Sequence, residues 1–113
     1  MKPEKANLFD LPDDLGADEE HFDVLVTGDG IRVERILSRG HATPQGQWYD
    51  QDQAEWVALL SGQATLQWED GQETRLQAGD WVFIEAHRRH RVKATSTKPP
   101  CVWIAIHGDL RRG

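Results

Sequence analysis

The chain has 113 residues, of which 38% are hydrophobic and 28% charged, and a formal net charge of −6. That length makes one domain with a single core. No apolar run approaches the roughly 18 residues of a membrane span, and a single cysteine, Cys101, excludes an internal disulfide framework. Met1-Lys2-Pro3-Glu4-Lys5 leads into an acidic stretch, which argues against a secretory signal and for the cytoplasm. Residues 1–23 carry eight acids and two bases, and the rest of the chain carries eleven of each. By overall charge, neither part is a nucleic-acid or membrane-surface binder.

Residues 1–21 are polar, with Pro3, Pro12 and Gly16 as breakers. They read as an acidic, extended arm that is ordered only where it docks, with Leu8, Phe9, Leu11 and Leu15 available for docking. Residues 22–113 read as one domain. Phe22–Thr27 is a strand and Gly28-Asp29-Gly30 a turn. Ile31–Leu37 alternates apolar and charged residues, as a half-buried strand does. Ser38–Gly46 is a Gly/Pro-punctuated loop, Trp48–Gln51 a short strand candidate, and Glu55–Leu60 a stronger one ended by Ser61-Gly62. Ala64–Trp68 alternates again, and the Asp70-Gly71 pair predicts a hairpin returning through Glu73–Leu76. Trp81–Ile84 is apolar on both faces, so both should be covered. His90–Ala94 and Cys101–Ile106 complete the set. There is no proline between Gln45 and Lys98, which suits central strands. Eight to ten short, evenly spaced strands without an amphipathic helix predict an all-β sandwich or barrel.

Two segments resemble the two motifs of the cupin superfamily, and in particular its small single-domain bacterial members. The first family motif ends in Glu, six residues, Gly; Glu55 to Gly62 keeps that spacing. The second runs Gly, five residues, Pro-x-Gly, two residues, His; Gly79 and His90 keep its ends, while Glu85 and His87 stand at the proline and glycine. The two histidines of the first motif fall on Tyr49 and Gln51, or on Trp48 and Asp50. The resemblance implies a jelly-roll barrel, a homodimer, and a metal site of which Glu55 and His90 survive.

Parity along an extended chain puts Tyr49, Gln51 and Glu55 on one side, unless Asp52-Gln53-Ala54 turns. His87 and His90 differ by an odd number, so only a turn at Glu85–Arg88 lets both face one mouth. Gln51, Glu55 and His90 offer an amide oxygen, a carboxylate and an imidazole, a set suited to Mn, Fe or Zn; adding His87 favours Zn, Ni or Cu. The alternative is a metal-free ligand-binding barrel with Glu55 and His90 hydrogen-bonded to each other. Glu55 is the general-base candidate, with His90 as partner and Tyr49 as donor. Trp48 could line a pocket for an apolar or aromatic ligand, and Arg88 or Arg89 could grip a substrate carboxylate or phosphate or form a solvated rim. Cys101 reads as a small buried residue, His41 as solvent-facing, and His107 as either. The expected partners are a small molecule and a second copy of the chain, with no nucleic acid or membrane.

Overall fold

A computed structural model of the chain describes residues 4–13 and 20–113, so Leu15 of the expected docking set lies outside it. The described residues form eight strands and no helix: β1 His21–Gly28, β2 Ile31–Ser38, β3 Ala54–Ser61, β4 Gln63–Trp68, β5 Glu73–Gln77, β6 Trp81–Ile84, β7 His90–Thr95 and β8 Cys101–Gly108. Trp48–Gln51 is not a strand; Tyr49 makes one isolated bridge to His90. The strands build two antiparallel sheets, a larger one in the order β1-β2-β8-β3-β6 and a smaller one in the order β5-β4-β7. This is the jelly-roll architecture that the strand spacing and the motif resemblance predict.

The core lies between the sheets. Val57 and Leu59 from β3, Leu66 and Trp68 from β4, Leu76 from β5, Ile84 from β6, and Trp103 from β8 form one cluster. Each aliphatic side chain buried this way stabilises the fold by roughly 1.5–3 kcal/mol. Leu59 and Cys101 are fully buried, and the Cys101 thiol donates to the Gln63 carbonyl at 3.1 Å. The Asp-Gly hairpin forms as expected, with Gly71 at φ 91° between β4 and β5.

Of the expected docking residues in the arm, Leu8 and Phe9 stay exposed and Leu11 is half-buried. The arm is also held by polar contacts: Arg35 on β2 donates to the carbonyls of Leu8 at 3.0 Å and Asp10 at 2.8 Å while pairing with Asp23 at 2.6 Å. The guanidinium holds the Asp23 carboxyl below the ordinary carboxylate range. Trp81 also departs from expectation: Ile84 is buried, but Trp81 is 52% exposed on the outer face.

Gly62 turns β3 into β4 at φ 88°, and a Cβ there would lie 2.8 Å from both Cys101 Sγ and Ser96 Oγ. Gly71 has a similar φ but open space around it. Gly62→Ala should therefore cost about 1–3 kcal/mol more than Gly71→Ala in urea unfolding, because only the first adds a clash to backbone strain. Equal losses at the two positions would contradict this packing argument.

Candidate functional site

A cavity opens at the mouth of the barrel, between the two sheets. Its volume is about 70 Å³. That is enough for more than one water, but well below the roughly 300–1,000 Å³ of a site enclosing a drug-sized ligand. Its deeper wall is apolar, formed by Ile36, Val57, Leu66, Ile84, Val92 and Trp103. Its polar groups are Glu20, Glu34, Tyr49, Gln51, Glu55, His90 and His107.

Register explains how these groups meet. Glu55 stands opposite His107 across the β3–β8 ladder and opposite Ile84 across β3–β6. Directly opposed residues send their side chains to the same face, so both neighbours of β3 point into the cavity beside Glu55. Glu34 lies on the same face as Ile36, and both line the cavity. His107 Nε2 donates to Glu34 Oε1 at 2.9 Å and lies 3.7 Å from Glu55 Oε2. On the other side, His90 Nε2 is 3.9 Å from Glu55 Oε1. Neither separation from Glu55 is a hydrogen bond. Glu55 is thus 6% exposed, faces the cavity and makes no hydrogen bond to any of the described residues.

His90 is held more firmly. It is 5% exposed, and its Nδ1 lies 2.8 Å from the Arg88 carbonyl. A carbonyl only accepts, so Nδ1 carries the proton and the neutral ring turns an Nε2 lone pair toward Glu55. Tyr49 stacks on the ring, with centroids 5.6 Å apart, and exchanges two backbone hydrogen bonds with His90. Burial raises the Glu55 carboxyl above its ordinary range, and nearby Glu34 adds to this against the opposing pull of His107 and Arg32. Burial lowers the His90 imidazole, partly offset by the Arg88 carbonyl. Burial also raises the Tyr49 phenol, so it stays a donor at neutral pH.

The structure thus brings Tyr49, Gln51, Glu55 and His90 to one cavity. It does not bring His87, Arg88 or Trp48 there. The turn at Glu85–Arg88 exists, but it sends His87 outward: its side chain is 64% exposed and its Nδ1 lies 2.9 Å from Asp50 Oδ1. His87 has φ 63°, and it occupies the place where the family motif has glycine. The left-handed backbone is kept although the residue type is not. Arg88 stacks its guanidinium on Trp68 at 3.9 Å, and Arg89 pairs with Glu69. His41 is buried, not solvent-facing, with Nδ1 accepting from the Arg39 amide at 2.8 Å. Glu20, Glu34 and His107 are the site residues that sequence reasoning did not single out. The only available signal was a carboxylate in phase with Ile36 in β2.

The donor set does not fit a resident divalent metal. Among the described residues, no three His, Cys, Asp or Glu side chains are disposed to hold one. His107 spends Nε2 on Glu34, His87 is outside, and Tyr49 and Gln51 stand where the family motif has histidines. What remains is one imidazole lone pair and one buried carboxylate 3.9 Å apart, which can exchange protons through a bound molecule.

Residues 33–107 match the cupin-domain family Cupin_2. A solved structure from Ralstonia eutropha JMP134, provisionally named a mannose-6-phosphate isomerase, is 43% identical, with a TM-score of 0.87, covering 96% of this chain and 100% of that one. The polyketide cyclase RemF from Streptomyces resistomycificus is 16% identical, with a TM-score of 0.72, over 99% of this chain and 83% of the cyclase. A cupin superfamily protein from Desulfitobacterium hafniense DCB-2 is 14% identical, with a TM-score of 0.70, over 84% of this chain and 82% of that one. The last two likenesses concern the fold alone. No curated protein matches the chain. With both barrel sheets formed and a family match spanning most of its length, the chain belongs to the cupin family.

Proposed function

We propose that this cupin binds a small organic molecule in its barrel mouth and moves a proton there without a resident metal. One observation carries the reading: Glu55 is buried without a hydrogen bond from any of the described residues, and the free lone pair of His90 faces it at 3.9 Å. Burial pushes the carboxyl up and the imidazole down. Their proton affinities therefore converge, and a proton passes between such groups at little cost. General acid–base catalysis draws on such a pair, a carboxyl shifted up beside an imidazole shifted down. Glu55 is the base, His90 its partner, Tyr49 a donor at the mouth, and Gln51 an orienting amide.

Proton transfer between neighbouring atoms is the chemistry of isomerases, so the provisional name of the Ralstonia relative agrees with this reading at the level of reaction type. A phosphate does not suit the site, because among the described residues no Lys or Arg lines the cavity. The earlier expectation of an acidic ligand loses its support with Arg88 and Arg89 occupied elsewhere.

The homodimer is part of the proposal. Val33, Ile106, Trp56 and Phe83 occupy successive positions across the outer face of the larger sheet, beside the exposed Trp81. A face of this kind needs an apolar cover. Trp81→Glu should turn a dimer into a monomer in light scattering while leaving far-ultraviolet circular dichroism unchanged. A wild-type chain that is already monomeric would contradict this.

Untagged protein should carry no stoichiometric Fe, Mn, Zn, Ni or Cu by mass spectrometry, and none of these should raise its melting temperature. Stoichiometric metal that disappears in Glu55→Gln would overturn the metal-free reading. The pH dependence of stability supplies a second test. With its folded pKa raised, Glu55 favours folding while protonated, and that contribution is lost as pH rises from the ordinary carboxylate range through the raised value. Glu55→Gln should therefore raise the melting temperature at pH 8 and change it little at pH 4. A loss at pH 8 would mean that the carboxylate has a partner.

A further inference from the structure

We infer that the molecule taken by the cavity presents a cationic nitrogen, as a small primary amine does, and docks it on Glu55. The inference rests on the ligand-binding reading above and adds the charge of the ligand. Among the described residues, three carboxylates line the cavity, Glu20, Glu34 and Glu55, and no Lys or Arg does. Two of the three are already satisfied. Glu20 Oε2 accepts from Ser38 Oγ at 2.6 Å, and Glu34 Oε1 accepts from His107 Nε2 at 2.9 Å. Glu55 is not, although its side chain is only 9% exposed. A buried carboxylate without a donor is costly, and an N–H⁺ group from a ligand removes that cost.

The groups around Glu55 favour the same sign. On β8 there is His107, on β7 His90, on β2 Glu34 with Arg32 at 3.3 Å from its Oε2, and before β1 there is Glu20. Arg32 is half-exposed at the rim and does not line the cavity, and Arg88 is stacked on Trp68. An anion entering here would meet three carboxylates. Of the two imidazoles on the described lining that can carry positive charge, His107 is already engaged by Glu34, and burial disfavours the charged form of His90. The rings of Tyr49 and Trp103 add π surface, which attracts cations. The volume of about 70 Å³ admits an ammonium and the few carbons next to it, against an apolar wall. With the ammonium on Glu55, the His90 lone pair faces the same ligand.

The test compares three probes of matched size, n-butylammonium, n-butanol and butyrate, by titration followed in amide and Trp103 indole NMR shifts. The expected result is butylammonium binding about tenfold or more tighter than either other probe, the scale of one added charge-assisted hydrogen bond. In Glu55→Gln that preference should vanish while butanol binding persists, and Glu20→Gln should reduce the preference only in part. Equal or tighter binding of butyrate, or a preference that survives Glu55→Gln, overturns the cationic assignment and leaves the ligand-binding reading standing. Failure of all three probes to shift cavity residues overturns both.

Discussion

The site depends on one carboxyl group placed where water is scarce and short of any hydrogen bond from the described residues. Glu55 sits at the start of β3, among the apolar walls of the barrel and 3.7–3.9 Å from two imidazole nitrogens, with a hydrogen bond to neither. An isolated carboxylate is so costly in such surroundings that proteins usually neutralise it or pair it. Here the walls themselves come from the fold. β3 lies between β6 and β8, so its inward side chains have neighbours on both sides and no route to bulk solvent except the mouth. Removing the carboxylate should stabilise the barrel at neutral pH.

The surrounding groups divide the remaining tasks. The Arg88 carbonyl fixes the proton on His90 Nδ1 and so aims Nε2 inward. His107 is tied to Glu34 across neighbouring strands β8 and β2, which leaves that carboxylate already paired. The segment before β1 supplies Glu20 and, at its entry, Phe22 to the cavity wall. Arg35 secures β1 to β2 through Asp23 and holds the carbonyls of the arm on the outer face. One arginine thus links the acidic arm to the strand that completes the mouth.

Much of the fold was legible in the sequence, because strand alternation and Gly or Asp-Gly turns are local signals. The site was legible only in part, because its logic is pairing. Tyr49, Gln51 and Glu55 do line one cavity, but the chain bends at Asp52-Gln53, so parity along an extended strand is not what brings them together; His90 follows from motif spacing. Glu34 was hidden because the charged phase of β2 reads as a solvent face when it is a cavity face. His107 needed the β3–β8 register, which sets it opposite Glu55 and which no local pattern reveals. His87 misled in the other direction. Histidine is a ligand by chemistry, but this one stands at a left-handed backbone position whose geometry turns its side chain to solvent. Trp48–Gln51 has the composition of a strand yet finds one bridge to pair with, so tertiary context outweighed β-propensity.

The measurement that bears most directly on the account is the titration of Glu55 and His90 themselves, from the carboxyl ¹³C and ring ¹⁵N shifts in the untagged protein. The account predicts a Glu55 midpoint above the ordinary carboxylate range, a His90 midpoint below the ordinary imidazole value, and each curve perturbed by the titration of the other. Two independent curves at ordinary values would show that neither group is desolvated or coupled, and the proposed proton-transfer site would not stand.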